Sequence, residues 1–400
     1  MKNRDLYLRQ LIAFKDKSPV KVITGVRRCG KSTLLDLYAQ YLLEEGTSPK
    51  SIIRMNFESL EYDGIKTYRQ LDEYIDCNLT PSGMNYVLLD EIQQVEGWEK
   101  AVNSLRLAGN IDIYITGSNA QLLSSELSTF LSGRYVEIRM LPLSFAEFLD
   151  FNGLRDGRDM DGCFNEYLRY GGFPGIAEIR EIPSAISQLL HGIYNTIIMK
   201  DVIQRNLVRD PALLDSVTRF LCGNVGNALS TKKISDFLTS SGRKTNSETI
   251  DNYLHMLEGA YFIYKARRYD LKGRMHLKTQ GKFYIVDTGI RNELMGMRGD
   301  YGFLLENVVY LEFLRRGYEV SIGKLGPLEV DFVATKPDKT VYCQVSATIL
   351  DEKTRERELT PLRNIPDNYE KIILSMDRTP MTDFNGVRNM NLLDFLLGRE

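Results

Sequence analysis

Residues Pro19 to Leu35 read P-V-K-V-I-T-G-V-R-R-C-G-K-S-T-L-L, and this stretch decides the fold. Val20 to Thr24 reads as a short buried strand, Gly25-Val26-Arg27-Arg28-Cys29-Gly30-Lys31-Ser32 fits G-x-x-x-x-G-K-[ST], and Thr33 onward reads as a helix. Strand, glycine-bounded loop and helix in that order are the context of a phosphate-binding loop. Glycine at both ends lets the chain turn sharply with no Cβ in the way, so the backbone N–H groups from Gly25 through Thr33 can wrap phosphate oxygens. The helix that follows aims its positive N-terminal end at the same anion. Lys31 is expected to reach the β- and γ-phosphates of ATP, and the Ser32 hydroxyl to ligate Mg²⁺.

The chain has 400 residues, long for one core, so two or three domains are expected. Hydrophobic content of 43% and charged content of 26% suit a soluble globular protein. No uninterrupted apolar run is long enough to cross a bilayer, and Met1-Lys2-Asn3-Arg4-Asp5 is not followed by a signal-like segment, so a cytoplasmic location without membrane contact is expected. Cys29, Cys77, Cys163, Cys222 and Cys343 are dispersed, with no C-x-x-C, which suggests neither a zinc site nor a disulfide framework. Cys29 lies inside the phosphate loop, either as a site of oxidative control or as a small residue that the loop tolerates. The net charge of −2 gives no global attraction to nucleic acid, so any DNA contact must use a local basic face.

Working outward, Leu6 to Phe14, Thr33 to Glu45 and Tyr68 to Cys77 read as helices, and Ser51 to Phe57 as a strand. Alternation of this kind argues for an α/β fold with a parallel sheet covered on both faces. Asn85-Tyr86-Val87-Leu88-Leu89-Asp90-Glu91 is an apolar strand ending in two carboxylates, delivered to the edge where the phosphate loop lies. Asp90 is expected to hold Mg²⁺ through water, and Glu91 to orient and activate the attacking water. Asp112 to Asn119 is a further strand; placed between the other two, its Ser118 or Asn119 would touch the γ-phosphate or the water, or cap a helix beginning Ala120-Gln121-Leu122-Leu123, and both roles can coexist. Arg134, at the start of another strand, is either a finger reaching a neighbouring subunit's nucleotide or a surface ion-pair arginine.

Gly25-Val26-Arg27-Arg28, Leu89-Asp90-Glu91-Ile92-Gln93, Gly97-Trp98-Glu99, Ile115-Thr116-Gly117-Ser118-Asn119, Gly133-Arg134-Tyr135, Leu141-Pro142-Leu143-Ser144-Phe145 and Tyr170-Gly171-Gly172-Phe173-Pro174 together resemble a prokaryotic group of AAA-like ATPases. Members of that group carry a restriction-endonuclease-like C-terminal domain. The resemblance covers nearly the whole chain and implies an AAA-type core in which Lys31, Ser32, Asp90 and Glu91 carry ATP hydrolysis, with a sensor at Ser118 or Asn119.

Residues 1–142 are thus expected to form the ATPase core, and 143–208 a helical lid and connecting helix. Residues 209–284 read as three short helices, then a strand, a polar turn and a second strand, the pattern of a winged helix-turn-helix. In its third helix Ile250, Tyr253, Leu254 and Leu257 share an inward face, leaving Ser247, Thr249, Asn252 and His255 for a groove. Basic residues follow that helix: Lys265, Arg267, Arg268, Lys272 and Arg274 as DNA-binding candidates, with Lys278 and Lys282 beyond. In residues 285–400, Glu306 and Asp331 match the acids of a PD-(D/E)-x-K nuclease centre, where two acids bind a divalent metal and a lysine helps the attacking water. The third element is Gln344-Val345-Ser346, an amide for a carboxylate and no lysine, so a degenerate nuclease domain is expected. The reading is an ATPase coupled to a DNA-binding C-terminal half. A protein partner served by a nucleotide-gated switch, self-association, and an ATP-dependent nuclease are the alternatives.

Overall fold

In the computed structural model, which describes residues 2, 4–120, 131, 133–155, 159–297, 301–378 and 382–399, the run Val20–Thr24 is strand β1, buried at every position. Of the helix expected to begin Ala120-Gln121-Leu122-Leu123, all but Ala120 lies outside the described residues. Two compact units are distinguished: Met1–Leu141 with Gly259–Tyr261, and Pro142–Glu258 with Phe262–Glu400.

The first unit runs α1 (Asp5–Ala13), β1, α2 (Lys31–Glu44), β2 (Ile52–Asn56), α3 (Tyr68–Asn78), β3 (Asn85–Asp90), α4 (Trp98–Leu107), β4 (Ile111–Gly117) and β5 (Tyr135–Arg139). Its strands are all parallel, in the order β2-β3-β4-β1-β5. Strands covered on both faces read as continuous apolar runs, and β1, β3 and β4 are buried throughout. Val22, Val87, Leu89, Ile113 and Ile115 pack with Leu71, Ile75, Trp98 and Val102 from the helices. Because the strands are parallel, Thr24, Asp90 and Gly117 end at one edge of the sheet, and β4 lies between β1 and β3, the placement on which the reading of Ser118 and Asn119 is conditional. At the opposite edge the Lys21 ammonium pairs with Asp112, both shut off from water. Asp112 also accepts from Tyr114 Oη and Asp16 N, each at 2.8 Å, so the buried charge is fully hydrogen-bonded.

The second unit continues with α5 (Phe145–Asn152), α6 (Met160–Tyr170), α7 (Pro183–Thr196, running on into a π-helical stretch Ile197–Gln204), α8 (Pro211–Cys222), β6 (Ala228–Leu229), α9 (Thr231–Ser240) and α10 (Ser247–Gly259). Strands β7 (Ile263–Asp270) and β8 (Met275–Ile285) follow, then α11 (Thr288–Met295) and α12 (Tyr301–Arg315). Next come β9 (Glu319–Leu325), β10 (Leu328–Lys336), β11 (Lys339–Ser346), α13 (Glu352–Arg363), β12 (Glu370–Ser375), β13 (Thr382–Asp383), β14 (Arg388–Asn391) and α14 (Leu392–Leu397). Among the described residues these strands form one sheet, ordered β13-β14-β12-β11-β10-β9-β7-β8-β6. The boundary expected after residue 284 therefore falls inside a single sheet. Arg268 to Asp270 of β7 pair in parallel with Ile322 to Lys324 of β9, which covers an edge that a separate wing would leave open. Among the described residues no helix is long and apolar enough to cross a membrane.

The Tyr170-Gly171-Gly172 turn shows why small residues stand there. A Cβ on Gly171, whose φ is +81°, would lie 2.1 Å from Asp287 Oδ1, and one on Gly172 would lie 2.4 Å from the Leu143 carbonyl oxygen. The turn closes because Gly172 N donates to Asp287 Oδ2 at 2.7 Å, while Ile290 N donates to Asp287 Oδ1 at 3.1 Å and caps α11. Burial pushes the Asp287 carboxyl up to about 6 from its ordinary 3.8, against the pull of those backbone donors. Its folded-state value is raised, so ionisation works against the fold: the penalty is absent below about pH 4 and complete above about pH 6. Urea unfolding should therefore show this unit gaining roughly 2–3 kcal/mol from Asp287 between pH 7 and pH 4. Asp287→Asn should flatten that part of the profile; parallel profiles for both proteins would contradict it.

Candidate active site

Between β1 and α2 the chain makes a tight loop. Gly25 has φ +143° and a Cβ there would sit 2.1 Å from the Met140 carbonyl oxygen, so only glycine allows the loop to leave the strand as it does. Arg28 and Gly30 are also left-handed, at φ +70° and +104°, and Gly30 is the N-cap of α2. Val26 and Cys29 are buried, Ser32 is half-buried, and Arg28 and Thr33 are exposed. Arg27 donates to Glu58 at 2.9 Å. Lys31, 4% exposed, donates from Nζ to the Gly25 and Val26 carbonyls at 3.0 and 3.2 Å, and lies 3.9 Å from Glu91 Oε1. The lysine therefore already stands within the loop, beside the acid that follows β3.

Asp90 ends β3 and is wholly buried. Thr116 of β4 donates to Asp90 Oδ1 at 2.5 Å and accepts from Glu91 N at 3.0 Å, so one hydroxyl sets both acids. Asp90 Oδ2 is buried and finds no hydrogen-bond partner among the described residues. A buried carboxylate oxygen left so is costly unless a cation or its bound water takes it, and the oxygen donors Asp90 and Ser32 suit Mg²⁺. Glu91 sits past the strand in the left-handed region, φ +54° and ψ +46°, a strained backbone for glutamate. Its Oε2 accepts from Gln93 Nε2, with Ser118 Oγ at 3.5 Å. Ser118 and Asn119 are both buried at the end of β4. The fold thus gathers Lys31, Asp90, Glu91 and Ser118. Arg134 precedes β5 with its side chain exposed, and its carbonyl accepts from Val20 N at 2.9 Å.

Several contributors escaped sequence reasoning. Arg4, 3% exposed, donates to the Cys29 carbonyl at 3.1 Å and the Leu141 carbonyl at 2.9 Å, propping the phosphate loop from behind. Thr24 donates to Glu137 Oε1 at 2.6 Å; Tyr261 Oη reaches the same oxygen at 3.3 Å, and Ala120 N donates to the Gly259 carbonyl at 2.8 Å. No motif marks these residues, since each acts through one long-range contact. Burial raises the Cys29 thiol pKa, against Lys31 and Arg4, which disfavours the reactive thiolate and fits a small residue that the loop tolerates.

In the second unit Lys265 and Arg267 are exposed on one face of β7, Lys272 and Arg274 are exposed at the turn, and Arg268 is half-buried with its guanidinium on Gln280 at 2.8 Å. On α10, Ile250, Tyr253, Leu254 and Leu257 are buried, while Ser247, Asn252 and His255 are exposed and Thr249 is half-buried. Lys282 does not join the basic face. It lies opposite Ala266 in the ladder, so the pleat turns it inward, where it meets Glu306, Glu329 and Asp331. Gln344 is there too, accepting from Asp331 N at 2.6 Å.

The fold of the first unit and its loop are those of a P-loop nucleotide-binding domain. Residues 17–149 match an AAA domain, and residues 162–301 a domain of unknown function, DUF8612. An uncharacterised protein of Haemophilus influenzae is 44% identical over 99% of this chain and 99% of its own length. An uncharacterised protein of Methanocaldococcus jannaschii is 30% identical over 93% of this chain and 81% of its own length. The chain belongs to the family of these two proteins. Its fold is similar to that of the Walker-type ATPase PABY2304 of Pyrococcus abyssi, with a TM-score of 0.53 and 17% identity, over 74% of this chain and 96% of that one.

Arg4→Ala would strip two buried carbonyls of their donor, at roughly 1–3 kcal/mol each. Binding of a fluorescent ATP analogue should weaken about tenfold, at ~1.4 kcal/mol per decade, with a lower melting temperature and partial recovery in Arg4→Lys. Unchanged affinity in folded Arg4→Ala would show that the prop does not shape the loop.

Proposed function

We propose that the protein binds ATP with Mg²⁺, hydrolyses it to ADP and phosphate, and couples that cycle to DNA held by the basic strand and turn of the second unit. The observation that carries the ATPase reading is the buried Asp90–Glu91 pair at the edge of β3, with Lys31 of the phosphate loop 3.9 Å from Glu91. Backbone N–H groups from Gly25 to Thr33 and the N-terminal end of α2 hold the phosphates, and Lys31 turns from the Gly25 and Val26 carbonyls to the β- and γ-phosphate oxygens. Ser32 would ligate Mg²⁺ and the unpartnered Oδ2 of Asp90 would hold it through water, and its charge would offset that on the phosphate oxygens. Glu91 positions the attacking water and takes its proton as the water oxygen bonds to the γ-phosphorus and the bond to the bridging oxygen breaks. The strained backbone of Glu91 and its contacts with Gln93 and Ser118 fix where that carboxylate points. Ser118 and Asn119 sense the γ-phosphate. The exposed Arg134 suits a finger offered to a neighbouring copy. The pyrococcal relative in fold is itself a Walker-type ATPase, which supports the same chemistry here.

Coupling has a physical route within the first unit. The Gly259 carbonyl takes the Ala120 N–H, next to Asn119, and Tyr261 shares Glu137 with Thr24, the residue before the phosphate loop. Gly259–Tyr261 join α10, the groove helix of the proposed winged helix, to β7, which carries Lys265 and Arg267. A shift at the γ-phosphate sensor thereby reaches both elements of the DNA-binding reading.

Glu91→Gln should bind ATP within about threefold of wild type and lose at least a hundredfold in turnover, a loss of at least ~2.7 kcal/mol in transition-state stabilisation. Wild-type turnover in that variant would remove Glu91 from the reaction. For the DNA reading, Lys265→Glu with Arg267→Glu should weaken binding to a labelled duplex at least tenfold and flatten its salt dependence. Unchanged binding, or none in the wild type, would favour a nucleotide-gated switch that engages protein instead.

A further inference from the structure

The second unit contains a charge cluster outside the nucleotide site. Lys282 of β8 is 6% exposed. Its Nζ lies 3.3 Å from Glu306 Oε2 on α12, and 3.2 and 3.6 Å from Glu329 Oε1 and Asp331 Oδ1 on β10. Several other polar atoms around this centre are hydrogen-bonded. Asp331 Oδ2 accepts from Val345 N at 3.0 Å, and Tyr284 Oη donates to Glu306 Oε2 at 3.3 Å. Gln344 uses both ends of its amide, accepting from Asp331 N at 2.6 Å and donating to Glu358 Oε2 at 2.9 Å. Ser346, two residues on, turns its hydroxyl to the Thr348 carbonyl at 2.9 Å.

Electrostatics tie the cluster to its lysine. Burial pushes Glu306 up to about 8, with Asp331 adding to the effect and Lys282 opposing it. For Lys282 burial disfavours the charge, but Glu306, Asp331 and Glu329 outweigh it and hold the ammonium protonated. Half-buried acids packed this closely repel unless a cation stands among them. An ammonium with three donors, met by three carboxylates at 3.2–3.6 Å, is that cation.

We propose that Lys282 is the resident cation of this site: its ammonium takes the position that a divalent metal occupies between the two acids of a nuclease centre, so the wild-type chain holds no metal there and cuts no DNA. A metal ion needs oxygens at about 2.0–2.2 Å around that point, and it cannot share the space or the charge with an ammonium. Gln344 withholds its amide oxygen from the centre by giving it to Asp331 N. Among the described residues no group of three or more His, Cys, Asp and Glu is arranged to hold a metal. A lysine that assists a metal-bound water stands beside the metal; Lys282 stands between the acids. The site survives as an ion-paired joint that ties β8, α12 and β10 together.

The inference is independent of ATP hydrolysis, and its test leaves nucleotide out. Full-length wild type, Lys282→Ala, Asp331→Asn and Lys282→Ala with Asp331→Asn are titrated with Mn²⁺ by calorimetry and melted with and without it. Lys282→Met with Glu329→Gln, which leaves the cluster's net charge unchanged, serves where Lys282→Ala does not fold. The wild type should show no Mn²⁺ binding or stabilisation that Asp331→Asn removes. Removing Lys282 should tighten Mn²⁺ binding at least tenfold and raise the melting temperature with metal, and adding Asp331→Asn should abolish both effects. The proposal falls if wild type binds Mn²⁺ in an Asp331-dependent way, if it shows Mn²⁺-dependent DNA cleavage lost in both Lys282→Ala and Asp331→Asn, or if folded variants lacking Lys282 gain no site.

Discussion

The missing Cβ of Gly25 is the constraint on which the nucleotide-binding unit depends. A loop that holds phosphates by its backbone must bring N–H groups to the inside of a turn so tight that its outer wall touches neighbouring chain. Here that wall is the Met140 carbonyl, 2.1 Å from where a Cβ would stand. This contact fixes the exit of β1 against the chain just past β5, and Arg4 fixes the loop again through Cys29 and Leu141. The placement of β1 inside the sheet, between β4 and β5, suits the same need, since a loop held from several sides is one whose donors stay in place without a ligand.

The second level of organisation is the parallel register of β3 and β4. Register delivers Asp90 and Thr116 to the same height, and the Thr116 hydroxyl then holds the carboxylate of one acid and the backbone of the next. Glu91 follows in a strained left-handed conformation that any looser arrangement would relax. Strain at that residue is tolerated because Lys31, Gln93 and Ser118 surround its carboxylate. Positioning of the acid and of the phosphate loop are thus consequences of one sheet.

How much of this the sequence disclosed varies with the range of the interaction. The phosphate loop, the buried strands and the Asp90–Glu91 pair are local patterns: apolar runs with turn residues at fixed offsets, readable within a dozen residues. The order of β1, β4 and β3 was legible too, because a sensor strand between them is what the chemistry needs. Arg4 was not, since it sits among polar residues and its role depends on carbonyls 25 and 137 residues away. Lys282 was misplaced for a different reason. Charge along β7 and β8 is visible in the sequence, but only the pairing of Lys282 with Ala266 tells that its side chain points into the sheet's covered face. The continuous sheet joining β7 to β9 is likewise a long-range pairing, and a wing followed by a separate domain reads identically along the chain.

The central claim is that the loop around Lys31 and the acids on β3 form one hydrolytic site, and phosphate release tests it most directly. Purified full-length protein with Mg²⁺ and ATP, measured beside Lys31→Ala prepared in the same way, should release phosphate in repeated turnovers that the variant lacks. Equal release by the two proteins, or none from wild type that binds ATP, would contradict the account.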